Sequence, residues 1–308
     1  MAKGRRFEGF VQFPWALPVA LDALGLRERI EIDSRRAWLT FPALEGEFPS
    51  SQLVCPLDAR GRGLRGDVGS VASWGFQSTS ALCYVTAART SLFIDGDLTT
   101  SVDVAYAFRP LFESFRLWAE SWLRSPLDAG GVANDSRLYL ARRRDPMTSL
   151  GLSPTVIVVR DEGLSGAQVR GALRRASRGQ LPPVEQTLLA SGRRALFAGD
   201  TRRVVIEAGS AAEVAMSSYI TRSLSSRNLP EGFVERVTTN ANGLVGLHRL
   251  CVSLGWEPVV SKTRLGAELA EVRNHAAHRG EVPGRDTATT ALDHAAAVVD
   301  SLSPMPPC

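Results

Sequence analysis

The chain has 308 residues, of which 44% are hydrophobic and 22% charged, a composition typical of a globular protein with room for two domains. No apolar stretch predicts a membrane span, Pro14 and Pro18 interrupt the only candidate signal segment, and the four scattered cysteines predict reduced thiols in a cytoplasmic protein. The formal net charge of +4 comes almost entirely from arginine and is too small to indicate nucleic-acid binding by itself.

Residues 1–180 read as a mixed domain of strands and helices. Alternating or β-branched segments predict strands at residues 7–13, 37–41, 81–87, 91–94, 137–143 and 155–160. A short helix is predicted at residues 17–26 and another at residues 167–177, which Gly179 follows. This front part carries no recognisable catalytic pattern, so we expect a sensing or substrate-selecting role.

The strongest helix of the front part is predicted at residues 104–123. Its apolar residues recur at steps of three and four and include five aromatic side chains. An aromatic stripe could stack nucleobases, but burial in a core is the more common reason for one. The stripe consists of Val104, Phe108, Leu111, Phe112, Phe115, Trp118 and Trp122.

The pair Pro182-Pro183 marks a change in pattern, because strand signals end there and helix follows helix. Asp200 is a good N-cap for the second of five predicted helices, and Gly280 is a good stop for the fourth. The helices are predicted at residues 184–198, 201–224, 232–254, 263–279 and 286–302. The sequence therefore predicts an α+β protein of two domains, with residues 1–180 mixed and residues 181–308 an all-α bundle.

The functional hypothesis depends on the segment 273–280, Arg-Asn-His-Ala-Ala-His-Arg-Gly, at the end of the fourth helix. A histidine can take a proton from a ribose 2′-OH or give one to the leaving oxygen, and an arginine can hold a phosphate in its planar fork. Asn274 and His278 are four residues apart and share a helix face, but Arg273 and His278 lie ~140° apart on a regular α-helix. The helix end, or a second copy of the motif, is therefore needed to bring them together.

Arg273-Asn274-x-x-x-His278, followed by Arg279-Gly280 on a late helix of an all-α bundle, resembles the motif of the HEPN superfamily. The resemblance extends to the small-residue helix at 202–214 and covers residues 182–302 only. It implies a homodimeric endoribonuclease that needs no metal or other cofactor, in which two copies of the motif face one cleft. By this resemblance Arg273, Asn274 and His278 form the catalytic site. Many members of the superfamily act in toxin–antitoxin, CRISPR and phage-defence systems.

Several supporting and competing interpretations stay open at this point. Glu207 and Glu213 are candidates to pair with Arg273, and Arg279 either contacts RNA or only complements the helix terminus. His278 could instead cap the bundle by bonding a carbonyl group. The partners expected are RNA, a second copy of the chain and a regulatory protein or trigger at the front domain, without a membrane. The alternatives are a non-catalytic HEPN-like dimerisation and binding module, or a regulatory interaction protein.

Overall fold

The computed structural model describes residues 5–32, 35–45, 52–54, 69–72, 82–94, 101–127, 137–140, 148–151, 163–241 and 243–308. The chain has an α+β layout and divides into two compact units. The first unit comprises Met1–Ala119 and Leu127–Gln180 together with Cys308, and the second comprises Glu120–Pro126 and Leu181–Pro307.

The first unit contains an antiparallel sheet in which β1, β7, β3 and β2 are neighbours in that order and β6 also pairs with β7. Strands β4 and β5 pair with each other, as do β8 and β9. The strands are β1 (Arg5–Ala20), β2 (Arg27–Ile32), β3 (Arg35–Thr40), β4 (Ala43–Glu45), β5 (Gln52–Val54), β6 (Gly69–Ala72), β7 (Leu82–Ile94), β8 (Arg137–Leu140) and β9 (Thr148–Gly151).

The structure corrects several boundaries in this unit. The helix predicted at residues 17–26 is wrong, because residues 17–20 complete β1 and only Leu21–Ala23 form a 3₁₀ turn. The strands predicted at 81–87 and 91–94 are one strand, β7. The strand predicted at 137–143 is present as β8 (Arg137–Leu140), and residues 141–143 lie outside the described residues. The strand predicted at 155–160 lies outside the described residues.

Two helices complete the described part of the first unit, and Phe108, Leu111, Phe115 and Trp118 of the predicted stripe on the first of them are confirmed as core. Helix α1 (Ser101–Leu123) buries Phe108, Phe115 and Trp118. Phe13 of β1 contacts Phe112 and Phe115 at centroid distances of 5.5 and 6.4 Å. Helix α2 (Gly166–Ser177) begins at a capping box formed by Ser165 and Gln168.

The second unit is helical over its described length. Its helices are α3 (Val184–Phe197), α4 (Thr201–Ser225), α5 (Glu231–Asn240), α6 (Gly243–Ser253), α7 (residues 262–279) and α8 (Arg285–Leu302). Asp200 accepts a hydrogen bond from the backbone N–H of Arg203 at 3.1 Å, which confirms it as the N-cap of α4. Among the described helices of the chain, none is both long and apolar enough to cross a bilayer.

The helix predicted at residues 232–254 is two helices, α5 and α6. The break falls before Gly243, whose φ of +61° is the left-handed conformation that favours glycine. The two helices differ in how firmly they are held. Val234 is the only buried residue of α5, whereas α6 buries Leu244, Leu247, His248 and Cys251.

Helix α7 alternates between two kinds of helical turn. Lys262–Arg264 and Glu271–Asn274 are α-helical, whereas Leu265–Ala270 and His275–Arg279 are π-helical. In the π segments the backbone N–H groups of Glu271 and Gly280 bond to the carbonyl groups of residues five positions earlier. The helix ends at Gly280, whose φ is +71°, as the sequence predicts.

Helix α4 forms the centre of the second core. Its buried stripe is rich in alanine and glycine, which allows the neighbouring helices to approach closely. The stripe consists of Val204, Val205, Ala208, Gly209, Ala211, Ala212, Ala215, Met216, Ile220 and Leu224. One of these small residues, Gly209, positions an arginine of the candidate site.

Candidate functional site

Arg273 reaches its position by passing over a glycine of α4. A Cβ atom at Gly209 would lie 2.7 Å from Cγ of Arg273 and 3.3 Å from its Cβ, well inside normal contact distance. The aliphatic part of Arg273 therefore occupies the space that a side chain at position 209 would fill. This close approach fixes the direction in which the guanidinium leaves α7.

The guanidinium of Arg273 is held by two acceptors. Its Nη2 donates to Oε2 of Glu213 at 3.1 Å, and its Nη1 donates to Oδ1 of Asn274 at 3.3 Å. The side chains of Arg273 and Glu213 remain 25% and 28% exposed, so the pair is accessible from solvent. Nε of Arg273 is buried and has no partner among the described residues. Such an unmatched donor costs free energy in the folded protein.

Glu213, but not Glu207, supports Arg273. Glu207 instead accepts hydrogen bonds from Ser191 at 3.1 Å and from Nε of Arg203 at 3.3 Å. The expectation that Glu207 pairs with Arg273 is therefore wrong. Six residues separate the two glutamates along α4, which places them ~120° apart around the helix, so they face different neighbours.

His278 lies in the π-helical end of α7 and is exposed. Its imidazole has no hydrogen bond or ion pair within the described part of the chain, so the carbonyl-capping role considered above is absent there. Arg273 belongs to the α-helical turn Glu271–Asn274, whereas His278 belongs to the π-helical turn His275–Arg279 that follows it. Among the described contacts, the side chain of Arg273 bonds to Glu213 and Asn274 and not to His278. Asn274 is also exposed and orients Arg273 through its side-chain oxygen.

The other two polar residues of the motif face Glu281 instead. Nδ1 of His275 lies 3.3 Å from Oε2 of Glu281, and Nη1 of Arg279 lies 3.9 Å from Oε1 of the same residue. Arg279 is exposed, and ion pairs of this kind contribute little to stability. Among the positively charged groups of the segment, Arg273 is therefore the one whose side chain is fixed by both packing and hydrogen bonds.

The first turn of α4 holds the end of α7 and the loop that follows it. Nε of Arg202 donates to the carbonyl oxygen of Ala276 at 2.9 Å, inside the π segment. Oγ1 of Thr201 donates to the carbonyl oxygen of Pro283 at 2.7 Å. These two contacts fix the backbone on both sides of His278.

Sequence reasoning missed Gly209, Arg202 and the π segments. A glycine within an alanine-rich helical stripe is a signal of close approach and could have been used to find Gly209. Nothing in the local sequence identifies Arg202 as a ligand of the Ala276 carbonyl. The remaining histidines serve other contacts: His294 bonds to Glu268, and Nε2 of His248 lies 3.1 Å from the carbonyl oxygen of Val260.

Comparisons with known proteins leave the site to be interpreted on its own chemistry. No protein-family model matches the chain, and neither curated proteins nor solved structures include one with significant similarity to it. Within the described residues, no three side chains of His, Cys, Asp or Glu are grouped so that they could hold a metal ion. The site is thus defined by Arg273, its supports Glu213, Asn274 and Gly209, and the exposed His278.

Proposed function

We propose that the protein is a metal-independent endoribonuclease of HEPN type. The observation that carries this proposal is a guanidinium fixed by Glu213 and Asn274 beside a π-helical turn that carries an exposed histidine, His278, with no partner among the described residues. A positioned cation and a histidine that can transfer a proton are groups that serve RNA transesterification. Both groups belong to the segment whose pattern resembles the superfamily motif.

In the proposed reaction His278 acts as the general base. It takes the proton of a ribose 2′-OH, the 2′ oxygen attacks the adjacent phosphorus, and the bond from phosphorus to the 5′ oxygen breaks. The products are a 2′,3′-cyclic phosphate and a 5′-OH end. Arg273 binds the phosphate and stabilises the charge that develops on it, for which the phosphate competes with Glu213.

The leaving 5′ oxygen needs a proton from an acid. In the proposed homodimer, formed through the C-terminal helices, a second copy of the motif supplies the acid. The proposed setting is a cytoplasmic toxin or phage-defence effector that cuts cellular RNA, possible targets including tRNA. In this proposal the first unit receives the trigger or the regulatory protein.

One observation favours a second candidate, a non-catalytic HEPN-like module for dimerisation and for binding RNA or a protein. The carboxylate of Glu213 already neutralises Arg273, with an Nη2–Oε2 distance of 3.1 Å. An arginine paired in this way can be purely structural. Under this alternative, replacing His278 leaves every activity of the protein unchanged.

The test compares the wild type with His278→Ala and with His275→Ala. His275 is the matched control because it lies in the same π-helical turn but faces Glu281. Purified proteins are incubated with total cellular RNA, and the new ends are examined for a 2′,3′-cyclic phosphate. We expect the wild type and His275→Ala to cut and His278→Ala to be slower by about 10²–10⁴-fold, the usual loss of a general acid or base. Equal cutting by His278→Ala, or no cutting by a wild-type dimer that binds RNA, contradicts the proposal.

A further inference from the structure

A second feature of the helical unit is a cleft of about 890 Å³ between α5 and α6. Phe233, Arg236, Val237 and Asn240 line it from α5, at the steps of three and four that define one helix face. The opposite wall comes from α6, where Gly246, Arg249, Leu250 and Ser253 have the same spacing. Two regular helix faces thus border the cleft along their length.

The cleft is positively charged. Among the described residues that line it, the two ionisable side chains are both arginines, one on each wall, and none is a carboxylate. Nε of Arg236 donates to the carbonyl oxygen of Gly232 at 3.2 Å, but its terminal nitrogens and the whole guanidinium of Arg249 have no partner within the described residues. Two uncompensated guanidinium groups facing one cleft favour an anionic ligand.

The cleft also offers an aromatic surface that the fold does not use. Phe233 is 48% exposed, and α5 is attached to the bundle through one buried residue, Val234. Val237 and Leu250 continue the apolar surface, and Asn240 adds an amide with both donor and acceptor groups. An exposed ring beside arginines is suited to stack a flat base while the phosphates are held.

We infer that the cleft between α5 and α6 binds a nucleotide of single-stranded RNA, with the base on Phe233 and the flanking phosphates on Arg236 and Arg249. The choice of RNA rests on the proposed function. The placement of one arginine on each wall favours a strand over a free nucleotide, because a strand has a phosphate on either side of each base. The cleft is then a binding site for the RNA outside the Arg273–His278 motif.

The test measures binding without cutting. The full-length His278→Ala protein is titrated into a fluorescein-labelled oligouridylate, and anisotropy is followed over a range of salt concentrations. We expect Phe233→Leu to weaken binding by about 10-fold, the loss typical of one stacked base, and Phe233→Trp to retain it. Arg236→Gln and Arg249→Gln each lower the slope of log K against log salt by about 0.7, the value for one phosphate contact on a single strand.

Arg227→Gln is the matched control, since Arg227 is exposed in the same unit and does not line the cleft. The inference is overturned if Phe233→Leu and Arg249→Gln bind like this control, or if uridine monophosphate competes as strongly as the oligonucleotide. Its failure is distinguishable from failure of the proposed function. If the wild type cuts RNA but the cleft variants bind RNA normally, only the inference is refuted. If the wild type never cuts RNA but binds it through the cleft, only the nuclease proposal is refuted.

Discussion

At the scale of single residues, the site depends on a glycine as much as on its charged groups. The stem of Arg273 lies where a Cβ at position 209 would be, and the guanidinium then meets Glu213 on the same helix, α4. Because Gly209 and Glu213 are four residues apart, they lie on one face of α4 and both contact Arg273. Position 209 therefore controls the placement of the cation without any polar contact of its own.

Replacing Gly209 by alanine tests this arrangement. Gly209→Ala should lower the free energy of unfolding by about 1–2 kcal/mol, because overpacking against Arg273 exceeds the gain in helix propensity. RNA cutting should fall with it, as the guanidinium is displaced. The measurement is thermal unfolding followed by circular dichroism, together with the cleavage assay.

Gly232→Ala is the matched control, since a Cβ at Gly232 meets no atom within 4 Å. That change should leave stability unchanged or slightly higher. In the double variant Gly209→Ala/Arg273→Ala the new alanine no longer meets the arginine side chain. The double variant should therefore lose less free energy of unfolding than the two single variants lose together, by at least about 0.5 kcal/mol. Strict additivity would show that the two residues do not press on each other.

At the scale of elements, the sequence predicted four of the five helices of the second unit well, because their apolar periodicity and caps agree. Asp200 before α4 and Gly280 after α7 are examples in which one residue type fixes an end. Short apolar segments were less predictable, since residues 17–26 fit a buried strand as well as a helix. Pro14 lies where the register of β1 with β7 is interrupted, between Gln12 and Leu17, which allows the strand to continue past it.

The π segments of α7 could not be predicted in the same way. His275, the first residue of the second π segment, has ordinary helical backbone angles (φ −63°, ψ −45°). The pattern of apolar residues does not separate a bond to residue i+4 from one to residue i+5. A contact from another helix meets the wider turn, where Nε of Arg202 donates to the Ala276 carbonyl. Local sequence does not record a contact between residues 74 positions apart.

Two neighbouring arginines allow the role of this contact to be measured. Arg202→Ala should lower the free energy of unfolding by about 1–2 kcal/mol, because a charged donor to a backbone carbonyl is removed, and should reduce cutting through the loosened turn at His278. Arg203→Ala removes an exposed pair with Glu207 and should change stability by less than about 1 kcal/mol. Denaturant unfolding of both variants gives the comparison. Equal effects would show that the Arg202 bond does not hold the end of α7.

At the scale of the whole molecule, the division into two compact units falls after Gln180 but also assigns Glu120–Pro126 to the second unit. Two ion pairs, which no local sequence pattern contains, join this segment to other helices of the second unit. Arg194 lies 3.7 Å from Glu120, and Arg124 lies 2.9 Å from Asp300. Composition and Pro182-Pro183 indicate where the pattern of elements changes. Ion pairs between the segment Glu120–Pro126 and residues far away in the sequence cannot be read from that pattern.

Cys251 should report unfolding of the second unit as a whole. Burial raises the pKa of its thiol to about 12, whereas Cys308 is exposed. Iodoacetamide at mildly alkaline pH should label Cys308 at once and Cys251 only as urea unfolds the unit, which peptide mass spectrometry can follow. Rapid labelling of Cys251 in the native protein would show that the core opens locally.

The same thiol predicts a pH dependence of stability. In the unfolded chain its pKa is ~8.5, whereas the folded unit holds the proton up to a pKa of about 12. Ionisation therefore favours the unfolded chain, and the free energy of unfolding should fall as the pH rises from ~8.5 towards 12. Cys251→Ser at this position should weaken that dependence, which urea unfolding at several pH values can measure.

The single fully buried side chain of α5 affects how readily the cleft between α5 and α6 opens and closes. Val234 is the one fully buried residue of α5, and Val237 packs against the core only partly buried. We therefore expect α5 to open at a smaller free energy than the rest of the bundle and the cleft to exchange between closed and opened forms. Only the population that presents both walls binds a strand, and the apparent affinity is lower than the intrinsic one by that fraction. Any partner that packs on the outer face of α5 would raise the fraction, and would thereby tune RNA binding without touching the RNA.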